Sequence, residues 1–284
     1  MTVTEHSFRG KHGETITYDV TAPDGEPRGV VVIAHGLGEH GRRYGHVVDR
    51  LVGTGYTVAV PDHLGHGRSG GKRLRVQDFS DFTADLDRVI DEVASDDLPT
   101  FLLGHSMGGC IALDYALDHQ DKLDGLVLSG AAVVPGADLS PVAIRLAPLL
   151  GRVAPWLPTT ALDTANLSRD PQVIADYHDD PLVTTGKIPA GLGAAMLGTM
   201  KSFPARLPSL HLPLLVLHGG KDALTDPAGS TMVDERAGST DKTLTIYDGL
   251  YHEIFNEPEQ DQVIGDVVDW LTAHTAGSSN SESN

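Results

Sequence analysis

Short apolar runs alternate with helical patterns along most of the chain. Six runs have the length of buried strands, and they lie at residues 30–34, 56–60, 100–103, 125–129, 213–217 and 243–247. Residues 16–20 alternate between apolar and polar side chains, which predicts an exposed antiparallel strand. Between the runs, apolar residues recur at helical spacing, as in residues 82–93, with Ser80 as the predicted N-cap. This order predicts an α/β fold with a mostly parallel central sheet flanked by helices, and with ligands at the carboxyl ends of the strands.

The alternation stops between residues 134 and 204. Eight prolines lie between residues 134 and 190, together with apolar patches and no strand-like run. We expect a group of short helices inserted in the domain and lying over the sheet as a cap, so that residues 1–284 form a single domain. Residues 275–284 are polar and of low complexity, and we expect a disordered tail there.

Composition excludes several classes of function. The net charge of −18 argues against binding to nucleic acid and against electrostatic capture by anionic lipid. The single cysteine, Cys110, excludes an internal disulfide framework. The start of the chain has no apolar core of the kind a signal peptide carries, and no apolar run is long enough to span a bilayer. We therefore expect a cytoplasmic protein, or one peripherally associated with the membrane or cell envelope.

A G-x-S-x-G sequence follows the strand predicted at residues 100–103. Gly104, Ser106 and Gly108 lie between this strand and a helical pattern, as a nucleophile elbow requires. Such a turn is so tight that only glycine fits at its crowded positions, and it exposes the serine hydroxyl at the edge of the sheet. The pattern predicts Ser106 as a catalytic nucleophile, and a plain strand-to-helix turn is the alternative.

A serine hydroxyl needs a base, and the base needs a group that orients it. In folds with this elbow the acid and then the histidine follow the serine, in loops after strands. Asp222 and His252 occupy such loops. Asp226 and Asp248 are alternative acids, and two other histidines are weaker alternatives for the base: His218 and His274.

Acyl transfer also needs donors for the oxyanion. The residue after the nucleophile, Met107, offers one backbone N–H, and the loop after an early strand offers the second, expected at Leu37. His63 and His66 have the spacing of metal ligands but no third ligand, so we expect no metal. No phosphate-loop lysine follows the elbow, and no cofactor is expected.

The motifs together resemble those of monoacylglycerol lipases, serine α/β-hydrolases, and in particular the mycobacterial members. The matching blocks are AHGLGEHGRRY (34–44), DHLGHGRSGG (62–71), GHSMGG (104–109), SRDPQVIADYHDDPLV (168–183), LHGGKDALTD (217–226) and DKTLTIYDGLYHEIFNEPE (241–259). The resemblance implies the triad Ser106, Asp222 and His252, with Leu37 and Met107 as oxyanion donors. It also implies a polar pocket for the glycerol head, to which four residues correspond by motif position: Glu39, Arg43, His105 and Tyr177.

These four residues also fit purely structural roles. Glu39 and Arg43 are four apart, the spacing of a helical ion pair, and the other two fit packing beside the elbow and within the cap. The resemblance implies cleavage of a monoacylglycerol ester through an acyl-enzyme, with the cap contacting lipid surfaces; a homodimer stays open. The alternatives are a carboxylesterase, a lysophospholipase, a cofactor-free haloperoxidase and a non-enzymatic receptor on the same fold.

Overall fold

The computed structural model of the chain describes residues 1–136 and 139–278. Within them the strands are β1 (Thr2–Arg9), β2 (Thr15–Ala22), β3 (Gly29–Ala34), β4 (Tyr56–Pro61), β5 (Thr100–His105), β6 (Gly125–Ser129), β7 (Pro158–Ala161), β8 (Lys187–Pro189), β9 (Leu214–Gly219) and β10 (Lys242–Tyr247). The α-helices are α1 (Gly45–Gly53), α2 (Ser80–Val93), α3 (Met107–His119), α4 (Pro141–Val153), α5 (Pro171–Asp179), α6 (Ala190–Arg206), α7 (Pro227–Arg236) and α8 (Gln260–Ser278). Short 3-10 helices cover Gly41–Tyr44, Gln120–Lys122, Thr164–Asn166, Leu207–Ser209 and Ile254–Asn256.

Eight strands form the central sheet, in the order β1-β2-β4-β3-β5-β6-β9-β10. The pairs β1–β2 and β2–β4 are antiparallel and the remaining pairs are parallel. The register places Ala34 beside Gly104, and His105 beside Ser129. The carboxyl ends of neighbouring parallel strands therefore meet at one edge, where the sequence predicts the site.

Helices cover both faces of the sheet, which is why its inner strands consist mainly of apolar residues. All residues of β3, β5 and β9 are buried. One core cluster packs the sheet against α2, α3, α6 and α7, and the other packs it against α1 and α8. The predicted α/β-hydrolase fold is confirmed.

The inserted segment contains helices and a small antiparallel sheet. It includes α4, α5 and the first part of α6, with β7 paired to β8. The expectation of helices alone is therefore wrong at residues 158–161 and 187–189. These strands have four and three residues and are bounded by proline, so they leave no alternating pattern to detect. The boundary expected at residue 204 falls inside α6, which continues from the cap onto α3.

Three other features differ from the sequence-based expectations. The apolar pattern does not predict β1, because both of its faces are exposed and it is held by main-chain pairing with β2. Ser80 is not the N-cap of α2; Phe79 occupies that position, and Asp78 Oδ1 accepts the Ser80 N–H at 3.0 Å. Helix α8 continues to Ser278, so residues 275–278 are helical, and Thr275 Oγ1 is 2.8 Å from the Tyr56 hydroxyl. The rest of the expected tail, 279–284, lies outside the described residues.

None of the described helices has both the length and the apolar character needed to cross a membrane.

Candidate active site

Ser106 lies in a strained turn between β5 and α3. Its φ of 55° and ψ of −120° lie in a region that residues other than glycine rarely occupy. A Cβ at Gly104 would be 2.4 Å from the Gly108 oxygen, and a Cβ at Gly108 would be 2.0 Å from the Ala34 oxygen. Because neither position tolerates a side chain, the G-x-S-x-G glycines are required by the turn. The Ser106 side chain is left at the carboxyl edge of the sheet, partly accessible to solvent.

Asp222 and His252 are joined by a short hydrogen bond. Asp222 Oδ2 lies 2.6 Å from His252 Nδ1, and the carboxylate therefore accepts a hydrogen bond from the N–H of this ring nitrogen. Asp222 Oδ1 accepts the N–H groups of Leu224 and Thr225 at 2.8 and 2.9 Å, which fix the carboxylate in the loop after β9. The pair leaves His252 Nε2 as the basic nitrogen.

The alternative acids have other surroundings. Asp226 caps α7, and its Oδ1 accepts the Ala228 N–H at 2.9 Å. Asp248 is exposed. His218, an alternative base, lies beside the pair: its Nε2 is 3.2 Å from Asp222 Oδ2, and its Nδ1 is 2.7 Å from the Ser230 hydroxyl.

Burial and charge move the pKa values of the pair apart. Burial alone would raise the pKa of Asp222, but the His252 charge and hydrogen bonds from His218, His252 and the Thr225 amide hold it well below its usual range. Burial lowers the pKa of His252, but the Asp222 charge outweighs it, and the net shift is upward. Asp222 is therefore an anion that stabilises the imidazolium form of His252.

The contacts of neighbouring residues bring Ser106 and His252 close together. The Ser106 N–H donates to the Ser129 oxygen at 3.0 Å, and a Cβ at the next residue, Gly130, would be 3.4 Å from His252 Nδ1. The His105 and His252 rings are 4.8 Å apart. In the described part of the chain no hydrogen bond joins the Ser106 hydroxyl to His252. Catalytic hydrogen bonds are often long without substrate and tighten when it binds, so this last link belongs to the proposal below.

Two backbone N–H groups flank the serine. A Cβ at Gly36 would lie 3.2 Å from Ser106 Cβ, which places the loop after β3 directly against the nucleophile. Leu37 follows Gly36, and Met107 is the first residue of α3, where an N–H has no partner within the helix. Across the described residues, no acceptor engages the N–H of Leu37 or Met107. Leu37 and Met107 therefore stay the predicted oxyanion donors.

The residues expected at a glycerol pocket form a buried polar cluster. Glu39 Oε2 lies 2.5 Å from Arg43 Nη1, so the ion pair that the spacing allows is present. The Arg43 guanidinium also lies over the Tyr177 ring, 4.8 Å from its centroid. Glu253 Oε1 forms a second ion pair with Arg43 Nη1 at 2.7 Å. The Tyr44 hydroxyl donates to Glu39 Oε1 at 2.7 Å.

His105 is a buried, neutral side chain. Its Nδ1 is 3.0 Å from the Ser129 oxygen, to which it donates. Burial, together with the charge of His252, lowers the pKa of His105 to about 4. His105 therefore packs beside the elbow, which is one of the two roles that the sequence allows for it.

Two cavities are lined largely by residues of the inserted segment, and the smaller one is also lined by Leu37. The larger, of about 410 Å³, lies between α4 and α6 and is lined mainly by apolar residues. The smaller, of about 130 Å³, is lined by Leu37, Tyr177 and the polar segment 184–186. Ile188 lines both cavities. Neither cavity is lined by Glu39, Arg43 or His105.

Sequence reasoning missed Glu253, Tyr44 and Thr225. The Thr225 hydroxyl donates to Asp222 Oδ2 at 2.7 Å and lies 2.9 Å from the Gly130 oxygen. Glu253 and Tyr44 lie next to a residue already singled out, His252 and Arg43 respectively. That adjacency is the signal available for both, because the contact of Glu253 with Arg43 joins residues 210 positions apart and the contact of Tyr44 with Glu39 follows no helical spacing.

Comparison with known proteins places this site in a family. A family model described as "Serine aminopeptidase, S33" matches residues 25–259. The monoacylglycerol lipase of Mycolicibacterium smegmatis is 47% identical over 275 residues, which cover 96% of this chain and 98% of that protein. The human monoglyceride lipase is 35% identical over 259 residues, covering 89% and 86%. The crystal structure of the Paleococcus ferrophilus monoacylglycerol lipase superposes with a TM-score of 0.83 at 34% identity, covering 96% of this chain and 100% of that one. The resemblance seen in the motifs is confirmed, and the chain belongs to the monoacylglycerol lipase family of serine α/β-hydrolases.

Proposed function

We propose that the protein hydrolyses the ester bond of monoacylglycerols, releasing a fatty acid and glycerol. The observation that carries this proposal is the 2.6 Å bond between Asp222 and His252 at the sheet edge that bears the Ser106 elbow. The 47% identity to a monoacylglycerol lipase supports the choice of ester.

The proposed reaction has two steps that use the same groups. His252 Nε2 takes the hydroxyl proton of Ser106 as Oγ attacks the ester carbonyl, and the Leu37 and Met107 N–H groups stabilise the oxyanion. His252 then gives its proton to the glycerol oxygen, which leaves an acyl-enzyme. Water activated by His252 hydrolyses the acyl-enzyme and restores Ser106.

The two cavities fit the two parts of the substrate. The apolar cavity suits a single acyl chain, because burial of its CH₂ groups stabilises the complex by about 0.8 kcal/mol each. Pro135 lines this cavity. Three residues earlier in the chain, the N–H of Ala132 donates to the Ser106 carbonyl oxygen at 3.0 Å, which links the cavity to the nucleophile. The smaller cavity suits the glycerol head, and Tyr177 is the residue proposed to contact it directly. Glu39, Arg43 and His105 do not line the smaller cavity, and we propose that they support the head site from outside it.

We also propose that α4 docks the cap on a lipid surface. The helix and the turn after it expose a continuous group of large apolar side chains: Val142, Leu146, Leu149, Val153, Trp156 and Leu157. Helix α4 contains no acidic residue and carries Arg145 and Arg152, which suits the polar boundary of a membrane. This surface implies a peripheral location during catalysis.

Fatty-acid release by the wild type and by Ser106→Ala tests the activity. We expect the wild type to prefer monoacylglycerols of medium and long chain to acetate esters, and Ser106→Ala to lose about 10⁶-fold in kcat. Near-full hydrolysis by Ser106→Ala would overturn the mechanism. Binding of a long-chain monoacylglycerol by the wild type without release of fatty acid would instead support the receptor alternative.

A further inference from the structure

One buried arginine joins the two loops that carry the proposed base and the proposed oxyanion donor. Arg43 Nη1 and Nη2 lie 2.7 and 2.8 Å from the two carboxylate oxygens of Glu253, a bidentate arrangement. The same Nη1 lies 2.5 Å from Glu39 Oε2. The side chains of Arg43, Glu253 and Glu39 are 10%, 5% and 4% exposed, so solvent hardly competes for these bonds.

Each carboxylate holds a different catalytic loop. Glu39 Oε1 accepts the N–H of Gly36 at 2.6 Å, and Gly36 directly precedes Leu37. Glu253 directly follows His252, and its own N–H donates to the Leu167 oxygen at 2.8 Å. Arg43 therefore fixes the distance between the Leu37 loop and the His252 loop.

The surrounding charges favour the ionised forms of Arg43 and Glu39. Burial lowers the pKa of Arg43, but the Glu253 and Glu39 charges raise it well above its usual range. Burial raises the pKa of Glu39, but the Arg43 charge brings it below its usual value. A buried ion network of this kind persists only where its geometry is good, and removal of one member leaves an unpaired charge.

We infer that Glu253 is a positioning residue, which acts through Arg43 to hold His252 in register with the Leu37 oxyanion loop. This inference rests on the proposed function, since it assigns Glu253 to the reaction of Ser106. It also gives Glu39 and Arg43 a positioning role, because their hydrogen bonds connect the two loops and neither residue lines either of the two cavities.

The charge of Glu253 also acts on the titration of His252. The ionisable groups around His252 come from four segments of the chain and are Asp222 with His218, Glu253, Glu39 with Arg43, and His105. The carboxylates favour the imidazolium, with Asp222 first and Glu253 next. Removal of the Glu253 charge should therefore lower the pKa of His252.

Kinetics of three variants separate geometry from charge. Glu253→Gln removes the negative charge and the bidentate bond to Arg43. We expect kcat to fall by about 10²-fold with little change in KM, because His252 loses its alignment with the oxyanion loop. We also expect the acid limb of the kcat/KM profile to move to lower pH by ~0.5 unit. Arg43→Lys and Glu253→Asp keep every charge but lose the bidentate geometry. Both variants should lower kcat and leave the pH of the acid limb unchanged. If Glu253→Gln does not fold, these two variants test the geometry alone.

Glu257→Gln is the matched control. Glu257 is buried on the same loop and pairs with Arg169 at 2.6 Å, but this arginine belongs to the cap segment and not to the Leu37 loop. The variant should lower Tm and leave kcat and the acid limb unchanged, since Gln keeps an acceptor for the Tyr251 N–H. If the Glu253 and Arg43 variants behaved like this control, the inference would be wrong. Retained hydrolysis by Ser106→Ala would instead refute the proposed function.

Discussion

Asp222 and Asp226 stand four residues apart, and their hydrogen bonds give them different tasks. Asp222 orients His252, whereas Asp226 caps α7. We expect Asp222→Asn to lower kcat by about 10⁴-fold, because the imidazole loses its anionic partner and the tautomer that it requires. Asp226→Asn should change kcat little, since Asn is as good an N-cap as Asp. Steady-state kinetics of both variants check this assignment, and an active Asp222→Asn enzyme would reassign the acid.

The pKa of His252 sets the acid limit of activity. The base must be neutral to accept the Ser106 proton, and the Asp222 charge raises its pKa above the ordinary histidine value of 6.5. Activity should therefore fall as the pH drops through a value above 6.5. A profile of kcat/KM against pH shows this limb directly. A limb well below 6.5 would mean that Asp222 does not stabilise the protonated ring.

The candidate triad is predicted from sequence because each proposed member follows a recognisable strand. Ser106 has its flanking glycines, and Asp222 and His252 each come shortly after an apolar run. The contact between Arg43 and Glu253 joins residues 210 positions apart and follows no periodicity. Local pattern could indicate only the Glu39–Arg43 half of that network, through its four-residue spacing.

Among the elements, those buried on both faces are the most predictable. The strands β3, β5 and β9 are buried at every position and consist mainly of apolar residues because helices cover both sides. Strand β1 and the β7–β8 pair lie at edges or in the cap, where main-chain hydrogen bonds hold them and side-chain burial leaves no pattern. Such elements depend on their partners, and a single segment of sequence does not reveal a partner.

Helix α6 controls the size of the apolar cavity at Gly193. A Cβ on Gly193 would meet only Ile188 Cγ2, at 3.9 Å, so a larger side chain would extend into the cavity. We expect Gly193→Leu to reduce kcat/KM for an 18-carbon monoacylglycerol by about tenfold relative to an eight-carbon one, because each displaced CH₂ group forfeits about 0.8 kcal/mol. Hydrolysis rates across a chain-length series measure this shift.

Gly198 supplies the control for that substitution. It lies on the same helix, a Cβ added to it would have nothing within 4 Å, and it does not line the cavity. Gly198→Leu should therefore keep the wild-type chain-length preference while gaining the same helix propensity. If both variants shifted the preference equally, the cavity between α4 and α6 would not be the acyl site.

Helix α4 should bind lipid in part through Leu149, which does not line the cavity. Leu149 is 59% exposed, and burial in a membrane of a side chain of this size stabilises binding by about 1.5–3 kcal/mol. We expect Leu149→Ser to weaken binding to zwitterionic phospholipid vesicles by about tenfold, with unchanged hydrolysis of a water-soluble ester. Val3→Ser is the matched control, since Val3 is 63% exposed on β1. Equal losses in both variants, measured by vesicle co-sedimentation, would contradict docking through α4.

For the whole molecule, buried neutral histidines link stability to pH. Burial is the leading cause that lowers the pKa of four histidines, to about 4 for His66 and His105 and well below the ordinary value for His35 and His63. In the unfolded chain these rings protonate near pH 6.5, so the unfolded state binds more protons below that pH. Their contribution to stability is complete above pH 6.5 and is lost as the pH falls towards the folded pKa values. His252 and Asp85 act in the opposite direction, because their pKa values are raised in the folded state.

Replacement of one such histidine isolates its share of this dependence. His63 packs against His35 and Phe82, and its Nε2 has no hydrogen-bond partner in the described part of the chain, so Leu can replace it without leaving a polar group unpaired. Between pH 6 and pH 5 the free energy of unfolding should fall less steeply in His63→Leu than in the wild type, by about 1.4 kcal/mol per pH unit. Urea unfolding at the two pH values measures both slopes, and any constant packing cost of the substitution cancels in their difference. Equal slopes would mean that His63 does not gain a proton on unfolding, and that the acid sensitivity of the fold comes from other groups.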